Sequence, residues 1–101
     1  MGESNGSWTP KKISSSGIVY NGPAVLRGFL IGTDGVNDVT LLSIYNGTDN
    51  TGNEVIPTHG INADALGLNG AMDIHADCPD GIYAEYTTSG TAELVVYYEP
   101  K

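Results

Sequence analysis

The residues that could do chemistry are concentrated in the segment 73–78, Asp-Ile-His-Ala-Asp-Cys, which combines carboxylates, an imidazole and a thiol. If this segment is a strand, its period of two places three polar side chains on one face: Asp73, His75 and Asp77. Such a set could bind a divalent metal ion, with His59 or Asp80 as a further ligand. The same spacing describes an ordinary strand with a solvated polar face. We favour that interpretation, and we predict neither a metal site nor a cofactor.

Other patterns typical of catalysis or metal binding are weaker. Segments 34–38 and 49–54 contain the oxygen ligands that calcium prefers, but neither has the spacing of a known loop, and turn chemistry explains both. The chain has no Gly-x-Ser-x-Gly motif. Cys78 is the single cysteine and has no basic neighbour in sequence, so we expect a small residue packed at the edge of the core. We predict that the protein is not an enzyme.

The charge distribution excludes one class of partner. The chain carries 4 Lys or Arg against 12 Asp or Glu, for a net charge of −8. Every carboxylate except Glu3 lies between Ile13 and Pro100, where Arg27 is the only cation. An acidic body of this kind cannot track phosphates, so we predict no nucleic-acid partner.

No apolar run approaches the length needed to span a membrane, and the N-terminus lacks a basic stretch followed by an apolar core. The sequence therefore predicts a soluble product made in the cytoplasm, without a membrane partner.

Composition favours strands over helices. The 101 residues have room for one domain, and the 14 glycines together with the scarcity of Lys and Glu argue against long helices. We predict an all-β fold, a single small antiparallel β-sandwich or jelly-roll-like barrel of about eight short strands. The predicted strands are 15–20, 24–31, 39–45, 54–57, 61–66, 71–76, 81–87 and 91–99, with a helical turn as the alternative at 61–66.

The clearest local pattern runs from Pro23 to Gly47. Two apolar runs, 24–31 and 39–45, are joined by a polar segment rich in Gly, Asn and Asp. This pattern predicts a β-hairpin. Asn21-Gly22 and Ser89-Gly90 predict further tight reversals before and after the remaining strands.

The first of these apolar runs is apolar on both faces except at one position. A period of two puts Val25, Arg27, Phe29 and Ile31 on a common face. Such a strand is either central in a sandwich or covered by a partner. We expect Arg27 to pair with a carboxylate on an adjacent strand, with a salt bridge between subunits as the alternative.

Residues 1–12 form a polar N-terminal arm in this interpretation, and residues 13–101 form the sandwich body. The arm contains the only tryptophan, Trp8, and the cations Lys11 and Lys12. Because a buried Trp contributes strongly to small interfaces, Trp8 is the predicted anchor for a partner. The alternatives are an arm folded back on its own sheet and a Trp8 packed against its own chain.

Four segments of the chain resemble small virion proteins of tailed bacteriophages. They are 17–31, with its Gly-Pro-x-x-Leu-x-Gly strand, 39–48, which ends in Tyr-Asn-Gly-Thr, 81–86, Gly-Ile-Tyr-Ala-Glu-Tyr, and 93–98, Glu-Leu-Val-Val-Tyr-Tyr. The resemblance covers most of residues 17–98 and depends on strand and turn residues.

This resemblance implies a non-enzymatic head decoration or cement protein. Proteins of this kind are commonly homotrimers that sit on the capsid exterior and clamp neighbouring subunits, so the expected location is the virion and the expected partner is the major capsid protein or another virion protein. No catalytic residue is implied. The predicted interface residues are Trp8, Lys11, Lys12, Arg27 and Phe29.

The alternative is a head-spike or tail-associated module that binds a receptor or glycan. In that case the loops 34–38 and 46–53 would contact the ligand. Tyrosines near the last two strands would support them, namely Tyr83, Tyr86, Tyr97 and Tyr98.

Overall fold

The computed structural model describes residues 8–34, 39–61, 66–88 and 93–101. All of the regular secondary structure in these ranges is β-strand. The strands are β1 (Thr9–Ile13), β2 (Gly17–Tyr20), β3 (Ala24–Asp34), β4 (Val39–Asn46), β5 (Asn53–Ile61), β6 (Leu66–Cys78), β7 (Ile82–Thr88) and β8 (Glu93–Pro100). The prediction of an all-β chain with about eight strands is confirmed. No helix in the described ranges is long and apolar enough to cross a bilayer.

The strands form two antiparallel sheets of four. Sheet A has the order β1-β8-β3-β6, and sheet B has the order β2-β7-β4-β5. The strand pairing is that of one long hairpin rolled over on itself, with the pairs β1/β8, β2/β7, β3/β6 and β4/β5. Successive pairs belong alternately to sheet A and sheet B. This arrangement is a jelly roll, one of the two architectures predicted from composition.

The predicted hairpin between Pro23 and Gly47 is wrong. β3 pairs with β6 and β8 in sheet A, whereas β4 pairs with β5 and β7 in sheet B. The reversal at Asn21-Gly22 likewise joins strands of opposite sheets. The predicted turn at Ser89-Gly90 lies outside the described residues, and the strands before and after it, β7 and β8, belong to opposite sheets. Turn residues reverse the chain whether or not the flanking strands pair, because their effect is on local φ and ψ angles.

The doubly apolar pattern of β3 is explained by its central position between β8 and β6. The core between the sheets contains alternate residues of the strands, and its largest fully buried side chains are Leu26, Ile31, Leu42, Ile44, Ile82, Leu94, Val96 and Cys78. Burying each of the aliphatic side chains contributes about 1.5–3 kcal/mol relative to exposure.

A β-bulge at Arg27 changes which side chains of β3 face the core. The register against both β6 and β8 shifts between Leu26 and Gly28. Leu26 points inward before the bulge, and Phe29 and Ile31 point inward after it. The predicted common face of Arg27 and Phe29 is therefore wrong. Phe29 is 4% exposed within the core, so it is not available as an interface residue.

The N-terminal arm is shorter than predicted. Residues 9–12 belong to β1, which pairs with β8 at the edge of sheet A, so the alternative of an arm folded back on its own sheet holds for them. Residues 1–7 lie outside the described residues. The predicted first strand, 15–20, begins at Gly17, and the predicted segment 61–66 falls mostly outside the described ranges, between the end of β5 and the start of β6.

Tyr86 connects the edge of sheet A to sheet B. Its hydroxyl donates a buried hydrogen bond of 2.6 Å to the carbonyl of Ile13, the last residue of β1. Ser16, which directly precedes β2, extends the contact between β2 and β7, because its hydroxyl accepts from the Tyr86 N–H and donates to the Tyr86 carbonyl. Burial of the Tyr86 phenol, together with the charge of Glu93, raises its pKa above the ordinary 10.0.

The first prediction concerns Gly70, where β6 passes close to β3. Its φ of +155° is unfavourable for other residues, and a Cβ there would lie 2.0 Å from the Phe29 carbonyl oxygen. Gly70→Ala should lower the free energy of unfolding in urea by at least about 2 kcal/mol. Gly17→Ala is the matched control, since its Cβ would be 3.9 Å from the nearest atom. Equal stability of the two variants would contradict this packing.

The second prediction concerns Tyr86. Tyr86→Phe removes the buried hydrogen bond to the Ile13 carbonyl, so it should cost about 0.5–1.5 kcal/mol at neutral pH. Because the folded state raises the Tyr86 pKa, its contribution is complete below pH 10.0 and is lost as the pH rises above that value. The stability difference between wild type and variant should therefore shrink above that pH in chemical denaturation. A difference that grows with pH would refute the assignment.

Candidate binding surfaces

Arg27 is the centre of a cluster on the outer face of sheet A. Its Nε lies 3.5 Å from Oε1 of Glu99 on β8, and both side chains are less than one-fifth exposed. Its Nη1 lies 2.8 Å from Nδ1 of His75 on β6. Its Cζ lies 4.9 Å from the centre of the Trp8 ring, just before β1. The cluster thus connects β3, β6 and β8 of sheet A with the residue that precedes β1.

The contacts define the chemistry of the cluster. A guanidinium only donates, so His75 Nδ1 accepts and the ring proton is on Nε2 in this arrangement. Arg27 Nε has no hydrogen-bond partner of good geometry in the described part of the chain, so its contact with Glu99 is an ion pair without a hydrogen bond. The Trp8 ring stacks on the guanidinium as a cation–π contact.

These contacts show how Arg27 and Trp8, two predicted interface residues, interact within their own chain. The pairing of Arg27 with a carboxylate on an adjacent strand is confirmed, because Glu99 is on β8. Trp8 is half-buried against its own chain, on the outer face of the sheet and outside the core. The two residues are therefore brought together, and part of the Trp8 ring stays exposed.

All 4 Lys and Arg residues of the chain lie in or next to sheet A. Lys12 of β1 pairs with Glu93 of β8 at 2.9 Å, and Lys101, after β8, pairs with Asp77 of β6. Lys11 is exposed on β1. The exposed pairs contribute little to stability, but they compensate carboxylates across the face. The strands of sheet B contain no Lys or Arg.

Apolar and aromatic side chains surround the Arg27 cluster. Val95 and Tyr97 of β8 and Leu30 of β3 are half-buried on the outer face, and Met72 of β6 is exposed over Gly28. We call this surface the docking face; it comprises Trp8, Arg27, Leu30, Met72, Val95 and Tyr97.

The segment 73–78 alternates, as predicted, between exposed and core-facing residues. Its polar residues are exposed, whereas Ile74, Ala76 and Cys78 pack on the core. His75 is engaged with Arg27 and Asp77 with Lys101, and Asp73 has a φ of +61° in the irregular stretch opposite the bulge. Among the described side chains, no three of His, Cys, Asp and Glu could hold a metal ion.

The other residues considered as metal ligands have other partners or lie outside the described part of the chain. The side chains of His59 and of segment 34–38 are not described. Asp80 accepts a hydrogen bond from Asn46. In segment 49–54, the predicted turn chemistry is confirmed: Asp49 accepts from the backbone N–H and hydroxyl of Thr51, which lowers the pKa of its carboxyl.

Cys78 packs in the core, as predicted, and is fully buried with a free thiol. Its burial raises the pKa of the thiol, and the neighbouring charge of Asp77 acts in the same direction. A neutral, inaccessible thiol is a poor nucleophile.

The four tyrosines near the end of the chain do not form one surface. Tyr86 and Tyr98 are buried in the core. Tyr83 faces outward on sheet B, whereas Tyr97 faces outward on sheet A. A joint contribution of these residues to one glycan site is therefore excluded by their placement.

A polar cleft on the outer face of sheet B was not predicted. Three consecutive cross-strand pairs of β4 and β7 form this face: Leu41/Thr87, Ser43/Glu85 and Tyr45/Tyr83. A cavity of about 260 Å³ lies over the first two pairs and is lined by Ser16, Leu41, Ser43, Thr58, Glu85, Tyr86 and Thr87. The alternation of Leu41, Ser43 and Tyr45 indicates the outer face, but the recess depends on neighbouring strands that the pattern does not specify.

Comparison of the chain with family models, curated proteins and solved structures finds no match. The interpretation of the docking face and of the cleft therefore depends on their own geometry.

The third prediction concerns the Arg27 cluster. Arg27→Ala leaves the largely buried Glu99 without this cation and should lower the free energy of unfolding by about 1–3 kcal/mol. Trp8 is the only tryptophan, so its emission should shift to longer wavelength as the stacking is lost. Lys12→Ala, whose ion pair is exposed, is the control and should change stability by less than about 1 kcal/mol. Unchanged Trp8 emission in Arg27→Ala would contradict the stacking.

Proposed function

We propose that this protein is a non-enzymatic structural protein of a bacteriophage virion. It acts as a head decoration protein that binds the capsid exterior through the docking face. The resemblance to small phage virion proteins supports this proposal. The jelly-roll strand order also supports it, since this architecture recurs in viral capsid proteins.

The observation that carries the proposal is the difference between the two sheets. On sheet A, cations and carboxylates compensate each other around partly exposed aromatic and apolar side chains. Sheet B presents Glu54 and Glu85 with no cation in its strands. Protein interfaces are depleted in uncompensated charge and enriched in Trp, Tyr, Met and Arg, which is the composition of the docking face.

The β1 edge of sheet A is poorly suited to strand addition. β1 is an edge strand that contains Pro10, which has no N–H to donate, and the exposed Lys11 and Lys12. Proline and lysine on an edge strand discourage pairing with another chain. At this edge, binding through the face of the sheet is therefore favoured over strand addition.

A decoration protein stabilises the shell by mass action, because it binds the assembled lattice and not the free subunits. The gain per site is RT ln(1 + [L]/Kd), where [L] is the concentration of the decoration protein. Association of several copies, as in the proposed homotrimer, would strengthen binding through avidity. The proposed partner is the major capsid protein or a neighbouring virion protein.

The fourth prediction tests which face binds. The wild-type protein should co-sediment with capsids of the encoding phage prepared without it. Met72→Asp, on the docking face, should reduce occupancy at least tenfold by desolvating a new charge in the interface. Ile18→Asp, on sheet B, should bind like wild type; the two side chains are similarly exposed, at 39% and 44%.

Equal binding of the two variants would refute the docking face. Failure of the wild-type protein to bind these capsids would refute the decoration function. Unfolding curves of both variants provide the control for folding.

A further inference from the structure

The cleft on sheet B places buried polar side chains where a sheet normally faces solvent. Ser43 and Tyr45 point away from the core, because Leu42 and Ile44 between them are fully buried, yet Ser43 is only 3% exposed. The cleft floor is therefore a recess lined by hydroxyl groups.

A hydrogen-bond chain holds the one carboxylate of the cleft in place. Ser43 donates to the Tyr45 hydroxyl, which donates to Oε1 of Glu85, each at 3.3 Å. Asn50, in the loop between β4 and β5, donates to Oε2 of Glu85 at 3.2 Å. Each carboxylate oxygen thus has one fixed donor and retains capacity to accept a second hydrogen bond.

The lining is richer in acceptors than in donors. Thr58 already donates its hydroxyl proton to Glu54 and can accept, and Ser43 can accept in the same way. Glu85 only accepts. Thr87 is exposed at the rim and can both donate and accept. A ligand that satisfies this lining must present several donors.

The charge of the face selects against anions. The strands of sheet B contain no Lys or Arg, and Glu85 would repel a phosphate or carboxylate. A single carboxylate is also a poor site for a divalent cation, which needs several oxygen ligands. A neutral ligand with many hydroxyl groups fits these constraints.

An apolar wall borders the cleft at one end, where Leu41 is 48% exposed. A sugar ring has a hydroxyl edge for the polar floor and C–H groups for such a wall. The volume of about 260 Å³ corresponds to roughly nine water molecules, enough for one sugar residue.

We propose that this cleft binds a neutral saccharide, with Glu85 and Ser43 accepting hydrogen bonds from its hydroxyl groups. The inference goes beyond the proposed function, because the site lies on the sheet opposite the docking face. On a decorated capsid the cleft would therefore point away from the shell.

The test is an NMR titration of the ¹⁵N-labelled full chain with neutral saccharides, namely glucose, galactose, mannose, N-acetylglucosamine and their β-linked disaccharides. At least one should bind with a dissociation constant of about 1–10 mM, the range expected for a ligand of roughly a dozen non-hydrogen atoms. The shifted amides should be those of β4 and β7 around Ser43 and Glu85. Glucosamine and inorganic phosphate test the cationic and anionic alternatives.

Glu85→Gln should weaken saccharide binding at least fivefold, because it replaces a charged acceptor by a neutral amide. Thr87→Val, at the exposed rim, gives a second variant that leaves the Ser43–Tyr45–Glu85 chain intact, and it should weaken binding about threefold. Glu93→Gln on sheet A is the matched control and should bind like wild type.

The proposal is overturned if none of the neutral saccharides binds, if the shifts fall outside β4 and β7, or if glucosamine or phosphate binds and the neutral sugars do not. It is also overturned if both cleft variants bind like wild type. Because the isolated chain is used, these outcomes are independent of capsid binding.

Discussion

The β-bulge at Arg27 is the constraint on which the arrangement of sheet A depends. β3 lies between β8 and β6, so its inner face must be apolar throughout. The bulge places Arg27 outward while Leu26 on one side and Phe29 on the other remain in the core. A regular strand would have put Arg27 and Phe29 on the same face, burying the charge or exposing the ring.

The outward Arg27 in turn organises the surface above it. Glu99, His75 and Trp8 reach it from three different strands or their ends, so one side chain connects the full width of the sheet. The irregular stretch of β6 opposite the bulge, where Asp73 has a positive φ, lies beside this connection. Sheet B has no comparable cation. Its outer face is shaped by the hydroxyl and carboxylate groups of the cleft.

Part of this structure follows from sequence patterns, and part does not. Alternation correctly identified the exposed polar face of segment 73–78, because the period of two acts locally. Strand pairing could not be predicted from alternation. The hairpin expected between Pro23 and Gly47 is absent because β3 and β4 lie in different sheets and each pairs with other strands. The bulge also escaped prediction, since one extra residue changes the facing of Phe29 without altering composition. The contact between Trp8 and Arg27 was not predicted, because it joins an edge of the sheet to its centre.

In the proposed virion role, sheet A is the bound face and sheet B is the free face. Hydroxyl-radical footprinting, read by mass spectrometry on free protein and on assembled virions, measures this directly. We expect Trp8, Met72 and Tyr97 to be protected in virions while Leu41 and Tyr83 keep the reactivity they have in the free protein. Protection of Leu41 and Tyr83 with Trp8, Met72 and Tyr97 still reactive would contradict it.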